Sequence, residues 1–216
     1  MSIELKKRII TSCFLLSLLV LMFQYSFILI ISIIIIAAIN WIEFYALISK
    51  IFKKNDFKHK VFRFLGKSIS LIYLSLIVFL IMINFELKIY IFYALLISIF
   101  SDIGGLIIGK IFKGKKLSKI SPNKTISGSI GSFLFSLFLI PMFYSQLIIF
   151  NIYSLIFYTI VISLVSQLGD LFISFLKRKA EVKNTSDLLP GHGGFLDRTD
   201  GIIFAVPLGI LLLNIF

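Results

Sequence analysis

The feature that most constrains this chain is the recurrence, from end to end, of uninterrupted apolar runs of spanning length. At ~1.5 Å rise per residue, about twenty apolar residues make a helix as long as the ~30 Å hydrocarbon core of a bilayer. Seven such segments can be marked, roughly 9–23, 27–48, 68–84, 89–109, 126–144, 148–176 and 201–216. Hydrophobic residues make up 59% of the 216, more than the core of a soluble domain requires. No polar stretch is long enough to fold separately. The expectation is therefore an all-α polytopic integral membrane protein of about seven transmembrane helices. It forms a single domain over 1–216, with an N-terminal helix pair and basic loop over 1–67 and a membrane core over 68–216.

The charge pattern orients that domain. The net charge of +12 invites a nucleic-acid reading, but its distribution argues against one. Threading seven segments puts the N-terminus and the loops 50–67, 110–125 and 177–198 on one side, and every Lys and Arg except Lys88 lies there. The positive-inside rule makes that side cytoplasmic, with the N-terminus in. Lys6, Lys7 and Arg8 before the first run resemble a signal peptide, but no small-residue cleavage site follows, so an uncleaved anchor is expected. Cys13 stands alone, which leaves no disulfide and no thiolate metal site. His59 and His192 make no zinc site without other ligands. The second segment carries Glu43 near its end, close to Trp41 at the expected interface.

Three segments carry a polar or small face. Ser98, Ser101, Asp102, Gly105 and Gly109 recur at helical spacing, as do Gly128, Ser132 and Ser136, and then Ser163, Ser166, Gln167, Asp170 and Ser174. Glycines and serines in such lines suit close helix packing. Asp102 and Asp170 do not, because an intramembrane carboxylate costs ~2.5–3.5 kcal/mol on insertion scales. Both fall in the cytoplasmic third of their helices, which predicts a polar cavity open to the cytosol. The stretch Gln167 to Gly201 then gathers most of the charge of the C-terminal half. Asp170, Ser174 and Lys177 share one helical face. After a polar loop come Pro190-Gly191-His192-Gly193-Gly194 and Asp197-Arg198-Thr199-Asp200. Two carboxylate centres flanking a basic loop at a membrane surface suit a divalent metal and a phosphorylated substrate.

These residues resemble the signature of the phosphatidate cytidylyltransferase (CDP-diacylglycerol synthase) family: Ser-x-x-Lys-Arg, four residues, Lys-Asp, then a loop ending Pro-Gly-His-Gly-Gly-x-x-Asp-Arg-x-Asp. The chain matches at Ser174, Lys177, Arg178, Lys183, Pro190 to Gly194, Asp197, Arg198 and Asp200. It departs at Asn184, where the family has Asp. A second motif, Ser101-Asp102-Ile103-Gly104-Gly105, Gly109-Lys110 and Ser121-Pro122-Asn123-Lys124-Thr125, is similar to the same family, which often has Glu or Gln where this chain has Ser127. The resemblance covers about 99–132 and 167–207 and is weak over the first 50 residues. The chain looks like a shortened bacterial-type member.

The resemblance implies a reaction in which CTP and phosphatidic acid give CDP-diacylglycerol and pyrophosphate. It implies Mg²⁺ held by Asp170 and Asp197, with room for a second cation and with Asp102 supporting metal or nucleotide. Asp200 is either a third carboxylate or the N-cap of the last helix. Lys177, Arg178, Lys183 and Arg198 then face phosphates, Arg198 foremost because its fork holds two oxygens. Lys124 before a helix N-terminus is a natural phosphate site. Among Gly193 and Gly194 the backbone can approach a nucleotide; His192 either donates to a phosphate or only shapes the loop. Asn184 keeps a carbonyl oxygen and loses a charge, with Asp187 as a substitute. The implied partners are CTP, phosphatidic acid and the bilayer, not nucleic acid, and a homodimer is compatible with them. The implied location is the bacterial inner membrane with the site facing the cytoplasm. Two rivals stand beside this reading: a CTP-using kinase or cytidylyltransferase for an isoprenoid lipid, and a small ion transporter using Asp102 and Asp170. The apolar outer halves of the fourth and sixth segments argue against the transporter.

Overall fold

The computed structural model describes residues 3–118, 121, 124–191, 193–213 and 215. Among them every regular element is helical, and β pairing is limited to two isolated bridges, Lys116 with Thr125 and Leu189 with Gly193. The helices are α1 (Ile3–Gln24), α2 (Ser26–Ile51), α3 (Phe57–Ile83), α4 (Lys88–Phe112), α5 (Ile126–Leu137), α6 (Ile140–Phe143), α7 (Ile152–Lys179), α8 (Leu196–Thr199) and α9 (Ile202–Leu213), with a 3₁₀ turn at Phe85–Leu87. Among the described residues five stretches, against the seven spans expected, are long and apolar enough to cross a membrane: α2, α3, the 3₁₀ turn with α4, Ile126–Phe143 and α7. Ile126–Phe143 is one span by length although its helix breaks after Leu137. Pro141 has no N–H for the Leu137 carbonyl, so the chain restarts as α6. α9 is shorter, at 12 residues or about 18 Å.

The chain falls into two compact units. The first comprises Met1–Met82 and Leu176–Thr199. Here α1 and α2 are separated by one extended residue, Tyr25. The basic stretch 50–67 is mostly not a loop: only 52–56 lie outside helix, and α3 begins at Phe57. Nothing from Phe57 to Leu65 breaks a helix, and long basic side chains can extend from an apolar helix toward water. Two of those cations also have packing partners. Arg63 donates through Nε to the Phe52 carbonyl at 3.0 Å and through Nη2 to the Phe52 and Lys54 carbonyls, closing the open end of α2. Lys67 sits 3.4 Å over the Tyr45 ring.

The second unit comprises Ile83–Phe175 and Asp200–Phe216. Its core gathers Tyr93, Ile97, Leu139, Leu155, Tyr158, Ile162 and Ala205. Lipid tails are as apolar as leucine, so close packing and interhelical hydrogen bonds hold such helices, the latter at about 0.6 kcal/mol each. The small-residue lines supply both. A Cβ on Gly105 would stand 2.7 Å from Ser132 Oγ, and one on Gly128 would stand 2.8 Å from the Gly105 carbonyl. α4 and α5 therefore touch backbone to backbone. Ser132 donates to the Ser101 carbonyl at 2.7 Å, Ser98 and Ser166 share a bond at 2.6 Å, and Ser163 donates to Ser101 Oγ at 3.1 Å. Outside these cores large apolar side chains are exposed, including Ile10, Phe27, Ile72, Phe79 and Leu134, as a lipid solvent requires.

Candidate functional site

In the first unit the site is built around the segment that leaves α7. That helix ends on Glu181, whose φ of 58° is left-handed. Val182 N–H bonds back to the Lys177 carbonyl at 3.0 Å and Glu181 N–H to that of Arg178 at 3.1 Å. This is a Schellman ending with Glu where glycine is usual. The chain then folds over Asp197. The Asp197 carboxylate accepts from Thr185 N–H and Gly194 N–H, both at 2.9 Å on Oδ2, and from Lys177 Nζ at 2.7 Å on Oδ1. Burial would raise the Asp197 pKa, but the Lys177 ammonium and the two N–H groups outweigh it and hold the carboxyl below its usual value.

The glycine-rich tip follows from its backbone. Leu189 and Gly193 exchange backbone hydrogen bonds, at 2.8 and 3.2 Å, around a turn in which Gly191 and Gly193 have φ of 78° and 84°. Side chains other than glycine rarely adopt that region. The Pro190 carbonyl lies 3.2 Å from Thr11 Oγ1 of α1, whose single proton has a shorter acceptor in the Lys7 carbonyl at 2.8 Å. Gly194 is required for a different reason. A Cβ there would meet Glu43 Oε2 at 2.5 Å and the Ser186 nitrogen at 2.9 Å.

Glu43 is what the sequence reading missed. It lies on α2, 4% exposed, and not as an interfacial charge. Its Oε2 accepts from Thr185 Oγ1 at 2.6 Å and Leu196 N–H at 2.8 Å; its Oε1 accepts from Ser186 Oγ at 2.6 Å and Phe195 N–H at 2.9 Å. One turn away on the same helix, Asn40 Oδ1 accepts from Thr199 Oγ1 at 3.0 Å. The signal was present in the sequence. Glu43 is an acid inside an apolar helix, and the cost argument applied to Asp102 and Asp170 applies equally to it.

In the second unit Asp170 lies on α7, its Oδ2 paired with Lys124 Nζ and its Oδ1 3.3 Å from Ser174 Oγ. Lys124 is placed by its loop. α4 closes on left-handed Lys113, and Leu117 N–H to the Lys124 carbonyl (2.8 Å) and Ile126 N–H to the Lys115 carbonyl (2.9 Å) pin the return strand. Thr125 caps α5, its Oγ1 accepting from Gly128 N–H at 3.0 Å. Ser127, where the family pattern often has Glu or Gln, accepts from Gly114 N–H at 3.2 Å. One helical turn from Asp170, Gln167 accepts from Ser129 Oγ.

The expected residues thus fall into distinct groups. Lys177, Gly193, Gly194 and Asp197 come together in the first unit, and Lys124, Asp170 and Ser174 in the second. Arg178, Lys183 and Arg198 are exposed, and so are Asn184 and Asp187. Asp102 is half-buried on α4. Asp200 is buried, with Oδ1 accepting from Gly201 N–H at 2.9 Å at the head of α9. His192 lies outside the described residues.

Among the described residues no three His, Cys, Asp or Glu side chains converge as a ready-made metal cage. The individual carboxylates nonetheless fit a hard cation. Thr185 has one hydroxyl proton, and Glu43 at 2.6 Å outcompetes Asp197 Oδ2 at 3.1 Å for it. Among the described residues Asp197 Oδ1 meets Lys177 and Asp170 Oδ2 meets Lys124, and a carboxylate oxygen has a second lone pair for a cation. Mg²⁺ needs few protein oxygens, because it fills its shell with water and phosphate.

A profile of the cytidylyltransferase family matches residues 3–216. The chain is 43% identical over 130 residues to a phosphatidate cytidylyltransferase of Bacillus subtilis, covering 59% of this chain and 48% of that protein. It is 44% identical over 127 residues to proteins of the same name from Staphylococcus haemolyticus and Staphylococcus aureus, covering 57% of this chain and 48% of each. The match spans about half the length of these relatives. The family match takes in nearly every residue, both motif regions included, and on that ground the chain belongs to the cytidylyltransferase family.

Proposed function

We propose that this chain transfers the CMP moiety of CTP to phosphatidic acid, releasing pyrophosphate and forming CDP-diacylglycerol. What carries the reading is the gathering of Lys177, Gly193, Gly194 and Asp197, all signature residues, around one carboxylate in a chain of this family. The phosphate of phosphatidic acid is already a nucleophile, so the chain has no proton to abstract. Its task is to hold two polyanions in line and to balance charge as the bond to pyrophosphate breaks. Asp170 and Asp197 are the proposed Mg²⁺ ligands. Bound there, Mg²⁺ would neutralise phosphate oxygens. Lys124 and Lys177, each now against one of those carboxylates, are the ammonium groups best placed to turn to phosphate. Arg178, Lys183 and Arg198 add exposed cations, with Arg198 offering a two-pronged contact. Asp102, Asp200, Ser174 and His192 complete the proposed set, with Gly193 and Gly194 admitting a nucleotide to the backbone.

The same reading includes seven spans with the N-terminus and the basic loops in the cytoplasm, a polar cavity open on that side of the inner membrane, and room for a homodimer. The test uses the purified chain in lipid with phosphatidic acid, CTP and a Mg²⁺ titration, following CDP-diacylglycerol by mass spectrometry. Metal-dependent product is expected from the chain as it stands, Asn184 included. No product from either the native chain or an Asn184→Asp variant, both folded, overturns the proposal.

A further inference from the structure

We propose that Glu43 is a positioning residue: through Thr185 and the Gly194–Leu196 backbone it sets where Asp197 and Lys177 are presented. Only the kinetic arm of its test rests on the function proposed above. An acid 4% exposed in an apolar helix is expensive unless its oxygens are satisfied, and here four donors satisfy them. All four come from one segment, Thr185, Ser186, Phe195 and Leu196. The carboxylate therefore ties the two ends of the 185–196 loop to a single point on α2.

That point lies next to every contact on Asp197 Oδ2. Thr185 gives its hydroxyl to Glu43 and its N–H to Asp197. Gly194 gives its N–H to Asp197, while the space a side chain would take is filled by Glu43 Oε2. Phe195 and Leu196 give N–H groups to Glu43 immediately before Asp197 begins its turn. Moving the Glu43 oxygens moves the donors that aim Asp197, and with Asp197 its partner Lys177. Asn40, bonded to Thr199, extends the same polar line of α2 and fixes the far side of α8.

A staple that merely adds stability would leave a folded fraction with normal turnover. A positioning residue changes turnover within the folded fraction. The experiment takes the full chain in lipid discs, at a temperature where each variant stays folded, and measures amide hydrogen exchange over 185–197 and steady-state kinetics with CTP and phosphatidic acid. Glu43→Gln keeps the shape but, whichever way the amide turns, sets an NH₂ against one backbone N–H and one hydroxyl donor. It is expected to speed exchange at Thr185 and Gly194 by about tenfold or more, with α4 and α5 unchanged. It should also lower kcat by about a hundredfold, with KM for CTP changed less than about threefold. Unchanged exchange at Thr185 and Gly194, or a kinetic loss that vanishes when rates are normalised to folded protein, overturns the assignment. If Glu43→Gln does not insert, Thr185→Val and Ser186→Ala remove two of the donors without touching α2. The same two readings then decide, with the larger effect expected at Thr185. A native chain without turnover would remove the function proposed above, and the exchange arm would still decide the role of Glu43.

Discussion

Each of the two units holds one lysine–aspartate pair among the candidate residues, and the two pairs are built differently. Asp197 is held by Lys177 and by backbone N–H groups of Thr185 and Gly194, with 7% of its side chain exposed. Asp170 has Lys124 and, more distantly, Ser174, with 19% of its side chain exposed. The first is part of the architecture of its loop. The second sits on a helix whose shape does not depend on it. A carboxylate that aims a loop and one that only presents an oxygen should respond differently to the same substitution.

The largest contrast should come from removing each charge. Asp197→Asn and Asp170→Asn are both expected to cost about 10²–10³-fold or more in product formation. Only Asp197→Asn should also loosen 185–197 in hydrogen exchange, because its amide would set an NH₂ against Lys177 or against two N–H donors. Equal loosening in both variants would erase the distinction. Retained turnover in either would take that residue out of the proposed metal site.

The lysines sharpen the comparison on the stability side. Lys177→Ala leaves a buried carboxylate without its ammonium and should destabilise by about 1–3 kcal/mol. Lys124→Ala, at a pair with 27% and 19% of its side chains exposed, should cost under about 1 kcal/mol. Thermal midpoints of the two variants in the same detergent check the order. Acid gives a third comparison. The Asp197 pKa is depressed in the folded chain, so its contribution is fully present above the unfolded value of about 3.9 and is lost as pH falls through the lower folded one. Protection of 185–197 should therefore hold at pH 5 and decline below about pH 4. A decline beginning at pH 6 would point to a different group. The smallest effect is expected at Lys53→Ala, whose pair with Glu181 is 3.7 Å long and 64% and 82% exposed: under about 0.5 kcal/mol. Exposed Lys58 should be equally silent in turnover.

The helices were legible because apolar runs of spanning length leave few alternatives, and the small-residue lines because glycine spacing at 105 and 109 permits little else than close approach. The start of α3 was not, since charge was taken to mean loop where nothing breaks the helix until Asp56 and earlier. The signature marked Asp197 and Lys177, but it could not show that Thr185 and Ser186, ordinary residues of a polar loop, are partners of an acid more than 140 positions earlier. Glu43 itself was readable, as the one acid in α2, once charge inside an apolar helix is treated alike wherever it occurs. What no local pattern carries is which donors find it. That depends on the loop folding back.

α3 carries a last consequence. Its buried residues are Ser70, Leu74, Ile77 and Ile81, a single stripe at spacings of four, three and four. Much of the rest of its apolar surface is exposed, and a hydrocarbon solvent around it would distinguish poorly among leucine, isoleucine, valine and phenylalanine. Along that exposed apolar surface the helix therefore encodes thickness and little else, and the apolar letters there can be exchanged among themselves at small cost. The information that makes this chain specific is compressed into narrow seams and one folded-back loop.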